Sequence, residues 1–164
     1  MLDLGNFSPE LKGMSVVRGS VFRMTLYPSE GIAPKHSGDV SRDKYFVVLG
    51  IDGDNILVGS LLINTNINVN FIDRIAPYQY LLSCATYSFL NEKSRYVDCY
   101  KIKELAYKRI IEEAEYIGIL QEEDIDRIVE ITISSPVNKP SQLKKYNLVL
   151  CQFRGIIWCI PPPI

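Results

Sequence analysis

The sequence holds one histidine, His36, and four cysteines, Cys84, Cys99, Cys151 and Cys159. An imidazole titrates near neutral pH, which suits it to general-base work in phosphoryl transfer. His36 stands in a polar stretch, Gly31 to Asp43, together with Pro34 and Gly38. The competing reading of the same residue is a solvated loop histidine. The cysteines build no second centre by their spacing: none pairs at the interval of a zinc knuckle or a redox motif. Flanked by apolar residues such as Leu150 and Ile160, they read as small buried hydrophobes. Arg42 and Lys44 close the polar stretch; they are able to hold a phosphate or to serve as ordinary charges before a strand. Asn64 and Thr65 are able to bond a phosphate too. An asparagine-rich turn explains them equally well, because such side chains bond their own backbone.

These residues need a scaffold, and the composition says what kind. The chain has 164 residues, 47% of them hydrophobic and 23% charged, which predicts one domain over 1–164 with an ordinary core. It requires no metal or disulfide to fold, and no cofactor is implied. With 18 basic and 19 acidic residues the formal net charge is -1, so any contact with nucleic acid rests on a local patch. The opening Met1-Leu2-Asp3-Leu4-Gly5 has neither a basic leader nor an apolar core, which argues against a secretory signal. The apolar stretch Leu148 to Ile160 is interrupted by Gln152, Arg154 and Gly155 and falls short of the ~20 residues of a membrane span. A reducing, cytoplasmic setting without a membrane follows.

The first half reads as strands. Phe22, Met24 and Leu26 alternate with Arg23 and Thr25, and Tyr45 to Ile51 is a continuous β-branched and apolar run. Asp52-Gly53 supplies a tight turn widened by Asp54-Asn55, and Ile56 to Ile63 returns as the partner strand. Gly59 and Ser60 in that partner mark a bulge or bend of the kind that curls a sheet. The second half reads as helices. Ile102, Leu105, Ala106, Ile110, Ala114 and Ile117 recur at helical spacing, with Asp98 as N-cap and Gly118 as the stop. On that helix Lys101, Lys103, Lys108 and Arg109 are able to form a basic ridge, but they alternate with acids and read as a solvated face. A second helix opens with Glu122, Glu123 and Asp124 and buries Ile125, Ile128 and Val129. Ser134 to Ser141 reads as loop. The tail from Leu148 reads either as a buried last strand or as an open edge for another chain.

The order of several segments resembles the PemK/MazF-like plasmid-maintenance toxins. Arg18-Gly19-Ser20-Val21-Phe22, Leu26-Tyr27-Pro28-Ser29-Glu30-Gly31 and Lys44-Tyr45-Phe46-Val47-Val48-Leu49 follow that family's opening strand, turn, long loop and second strand. Arg95-Tyr96-Val97-Asp98-Cys99, then Tyr116-Ile117-Gly118-Ile119-Leu120 and the acidic helix, are similar to its C-terminal half. The likeness covers roughly residues 17 to 132, by pattern rather than by an invariant motif.

The resemblance implies an α+β, mainly β fold: a small curved SH3-like barrel with two helices in the C-terminal half. It further implies a dimeric endoribonuclease that cuts single-stranded RNA without a metal and is held in check by an antitoxin protein. Cleavage proceeds by attack of the RNA 2′-hydroxyl on the adjacent phosphate, which needs a base, an acid and a cation. On this chain the implied residues are Lys44 or Arg42 for the phosphate, Thr65 to position it, and His36 as base. The family commonly carries an Arg-Pro pair at the start of the second strand; here the segment is Arg42-Asp43-Lys44-Tyr45. A lysine is a point charge without the bidentate fork of arginine. Leu62-Ile63 stands where the family often has Pro-Ile. The alternative reading is a barrel without catalysis that binds protein or RNA.

Overall fold

The computed structural model describes residues 8–148. Seven strands make one curled antiparallel sheet: β1 (Ser20–Leu26), β2 (Arg42–Ile51), β3 (Leu57–Asn64), β4 (Gln79–Leu82), β5 (Arg95–Asp98), β6 (Lys103–Ala106) and β7 (Glu115–Ile119). The helices are α1 (Pro9–Ser15), α2 (Ile72–Ile75), α3 (Tyr107–Glu113), α4 (Glu122–Ser134) and α5 (Pro140–Lys145). Strand order is β4-β5-β3-β2-β1-β7, and β6 pairs with β3 beside β5. The second edge of β3 is thus shared: Leu57 to Ser60 face β6, while Ile63 and Asn64 face β5. One edge serving two strands bends the sheet into a half-barrel whose outer strands, β4 and β7, do not pair with each other.

Both faces are buried, so the strands carry apolar residues at both parities. Phe22, Met24, Leu26, Phe46, Val48, Val58, Leu62 and Leu105 line the first core with Val16 and with Ile110 of α3. Val21, Val47, Leu49, Leu61, Ile63 and Val97 line the second, beneath Ile125, Ile128 and Val129 of α4 and Leu143 of α5. Tyr80 and Tyr87 both donate their hydroxyls to Asp124, which fastens the first turn of α4 to β4 and to the segment after it. Burial, then that hydrogen bond to the carboxylate, pushes both phenols up to about 12.

The expected strands β1, β2 and β3 and the expected helix α4 are present. Three local details differ. The extra residue of the bulge is Leu49 on β2, opposite the Gly59-Ser60 pair rather than within it. The left-handed residue of the β2–β3 turn is Asn55, at φ 53°, and not Gly53. Asp52 Oδ1 accepts from the amides of Ile56 and Leu57 and closes that turn. Ser141 lies in α5, where Pro140 sits in the first turn because its missing N–H costs nothing there.

The long helix expected from Ile102 to Ile117 is replaced by β6, the short α3 and β7. The helical spacing misleads because it joins residues of different cores: Ile102 is buried in the second and Leu105 in the first. Backbone pairing with the open edge of β3 outweighs the local preference. Gly118 does not stop a helix. It lies in β7 opposite Val21, and a Cβ there would meet the Phe89 ring at 2.6 Å. Asp98 ends β5 instead of capping a helix. Of the tail expected to form a last strand, Leu148 is buried in the second core; Cys151, Cys159 and the rest lie outside the described residues. Among the described residues no helix is long and apolar enough to cross a membrane.

The bulge is tied down by side chains from both ends of the described chain. Gly50 and Gly59 are paired across β2 and β3 and leave a groove that Tyr146 fills. A Cβ at Gly59 would stand 2.7 Å from the Tyr146 ring. Arg18 donates from Nε to the Leu49 carbonyl at 2.7 Å and from Nη2 to the Tyr146 carbonyl at 2.9 Å. Gly59→Ala is therefore expected to lower stability by about 1–3 kcal/mol, the cost of overpacking a filled site. Gly53→Ala, where an added Cβ meets nothing within 4 Å, is expected to change it little. Urea midpoints of the two variants check the contrast.

Candidate functional site

Strand alternation decides which charges meet. Phe46 and Val48 point into the first core, so Arg42 and Lys44, at the same parity, stand at its open end. Lys44 lies opposite Met24 of β1. Its Nζ donates to Asn64 Oδ1 at 2.7 Å, across to the end of β3. Asn64 is paired with Tyr96 of β5, and Asp98 follows at the same parity. Lys103 opens β6 on this face and donates from Nζ to the Gly31 carbonyl at 2.7 Å. Arg42 Nη1 donates to the Ala33 carbonyl at 3.2 Å. The rim of the half-barrel is thus Arg42, Lys44, Asn64, Asp98 and Lys103, and two of its cations hold the start of the 31–41 loop.

The electrostatics follow from this crowding. Burial pushes the Lys44 ammonium down to about 8; the Arg42 charge adds to the push and the Asp98 carboxylate opposes it. Lys103 is lowered for the same reasons, burial first and then Lys101, again against Asp98. Asp98 Oδ1 accepts from Gln79 Nε2 at 2.9 Å and from the Tyr100 amide at 3.1 Å, which fixes the carboxylate in place. An ammonium titrating near 8 is charged at neutral pH and still able to give up its proton. It is suited both to binding an anionic oxygen and to acid catalysis.

The four residues singled out in the sequence are dispersed by the fold. Arg42 and Lys44 share the rim. Thr65 does not join them: it follows Asn64, and its hydroxyl accepts from Arg95 Nη1 at 3.5 Å. Asn64, the alternative to Thr65, is the residue on Lys44. His36 is exposed, and its amide donates to Asp39 Oδ2 at 2.9 Å, an ordinary loop contact. Tyr80 and Tyr87 pack at the second core, and Tyr78 and Tyr100 pair with ring centroids 5.6 Å apart. Arg95 and Asp98 form no ion pair; three positions apart in one strand, they face opposite sides.

Lys103 and Asp98 are the rim residues that sequence reading assigned elsewhere, because both were placed on or at the end of the long helix. The signal that recovers them is their parity: Asp98 with Tyr96, and Lys103 with the buried Leu105. Cys84 and Cys99 are both free thiols, the second fully buried with its thiol pushed up to about 12, mainly by burial. Among the described residues no three His, Cys, Asp or Glu side chains gather in a way that would hold a metal ion.

No protein-family model matches the chain, and no curated protein matches it. What the rim does must therefore be argued from its own geometry.

The signs at Lys44 are testable without any substrate. Removing the neighbouring positive charge in Arg42→Gln is expected to raise the Lys44 pKa. Removing the opposing negative charge in Asp98→Asn is expected to lower it. Titration of ¹³C-methylated lysines by NMR reads both, and equal titration in the two variants would dismiss the coupling.

Proposed function

We propose that this chain is an endoribonuclease of the PemK/MazF-like kind, built on a small SH3-like curled barrel. It takes single-stranded RNA at the rim around Lys44 and cuts it by attack of the 2′-oxygen on the adjacent phosphorus, so that the P–O5′ bond breaks, a 2′,3′-cyclic phosphate forms and the leaving 5′-oxygen takes up a proton. The observation that carries the reading is Lys44 itself: a half-buried ammonium with its pKa near 8, no carboxylate in ion-pair contact among the described residues, and the Arg42 charge beside it. Lys44 would donate to a non-bridging oxygen and stabilise the negative charge carried by the phosphoryl oxygens in the transition state. Arg42, released from the Ala33 carbonyl, would add the planar fork that lysine lacks. Thr65 would reach the next nucleotide from the far side of β3. The proton acceptor is Asp98, held on the rim, or His36 on the loop. The same reading carries a homodimer and an antitoxin protein that covers the rim.

One observation favours a second reading, a barrel that binds RNA or protein without cutting. Arg42, Lys44 and Lys103 already donate to Ala33, Asn64 and Gly31, so all three serve the fold as well as any ligand.

Cleavage of a mixed single-stranded RNA in EDTA separates the two. The nuclease reading expects metal-independent cutting, reduced about 10²-fold or more in Lys44→Ala. It also expects activity to fall as pH rises through about 8, because Lys44 loses its charge there. Asp98→Asn and His36→Ala identify the base. RNA retention without cutting supports the RNA-binding module; neither cutting nor retention overturns both RNA readings and leaves the barrel that binds protein.

A further inference from the structure

A cavity of about 580 Å³ opens on the other side of the sheet end, between the segment after β4 and the start of β5. Cys84, Ser88, Asn91, Glu92, Lys93 and Arg95 line it. Two cations against one acid give it a positive balance, and neither Lys93 nor Arg95 is ion-paired among the described residues. The Arg95 guanidinium is already oriented. Its carbon lies 4.7 Å from the centroid of the Tyr45 ring, a cation–π contact. Its Nε is buried without an acceptor, and Nη1 makes only the long bond to Thr65. The η nitrogens of this fixed guanidinium, beside a lysine, a hydroxyl and an amide, match the oxygens of a tetrahedral anion, while the buried Nε faces away from solvent. The volume is that of a small-molecule pocket and exceeds a bare ion.

We propose that this cavity binds a phosphate group. The group comes either from a small free phosphate ester or from a further phosphate of the strand held at Lys44. The second source rests on the function proposed above, and the fold allows it. Asn64 contacts Lys44 and Thr65 contacts Arg95, so two consecutive residues place the two cationic sites on either side of the end of β3.

Cys84 in the lining serves as a reporter. Alkylation by iodoacetamide is read at the Cys84 peptide by mass mapping, with inorganic phosphate or chloride at matched ionic strength. Phosphate is expected to slow labelling by the factor 1 + [phosphate]/Kd, which chloride does not. Lys93→Gln, an exposed position, is expected to weaken the protection, and Arg95→Gln to abolish it. Amide shifts over residues 83–95 on phosphate titration read the same event without the thiol. No protection together with no shift would overturn the proposal. A short oligoribonucleotide that protects at lower concentration than phosphate, and loses that advantage in Lys44→Gln, assigns the group to the strand; protection no better than phosphate assigns it to a free ester. The phosphate arm stands or falls whether or not the protein cuts RNA.

Discussion

The Arg18 guanidinium holds the point where the sheet turns. Leu49 is the extra residue of β2, and its carbonyl, displaced from the ladder by the bulge, takes the Arg18 Nε donor. The same guanidinium reaches the Tyr146 carbonyl, so the end of α5 is pinned to the bulge. Gly50 and Gly59 complete the arrangement: Gly59 leaves no Cβ where the Tyr146 ring lies, and Gly50 leaves none against the Tyr146 carbonyl. A displaced carbonyl without an acceptable donor would cost about 1–3 kcal/mol if buried, so the bulge and the arginine are one device. Gly19, next in the chain, continues it: its amide donates to the Val48 carbonyl and its own carbonyl accepts from Leu120. Its φ of 92° is one that a side chain would resist.

The curl that this device creates is what brings the rim together. Along one edge of the curled β3, β6 pairs with Leu57 to Ser60 and β5 with Ile63 and Asn64. With the curl, Asp98 at the end of β5 acts electrostatically on both Lys44 and Lys103, against Arg42 at the first and Lys101 at the second. Lys44 pays for its position in hydration, and that loss is the first cause of its lowered pKa. The result is a small cluster of positive charge on a molecule whose formal net charge is -1. A polyanion would meet a local patch rather than a general field.

Much of the scaffold was legible in the sequence. Alternation in Phe22, Met24 and Leu26, the apolar run through β2, and the acidic first turn of α4 report burial and dipole effects that act within a few residues. The segment 98–118 was not legible, because its partner lies elsewhere in the chain. Ile102, Leu105 and Ile110 repeat at helical intervals, yet the free edge of β3 supplies hydrogen bonds that a solvated helix cannot exceed. For the same reason the bulge fell on Leu49 and not on the glycine that suggested it: Gly59 is the permissive side, and the residue expelled is the one opposite.

The residues of the candidate site were named in part by sequence and sorted by the fold. Sequence alone brought out Arg42 and Lys44 as neighbouring cations before the apolar run of β2; that the strand begins at Arg42, so that the two share a face, is a finding of the structure. Sequence also determined that a polar loop with His36 precedes them. Only the tertiary structure decided that Asn64, and not Thr65, meets Lys44, because that depends on the register of β2 against β3. It likewise brought Asp98 and Lys103 to the rim and turned Arg95 to the opposite face. Register and shared edges are set by contacts between residues far apart in the chain, and no local pattern encodes them.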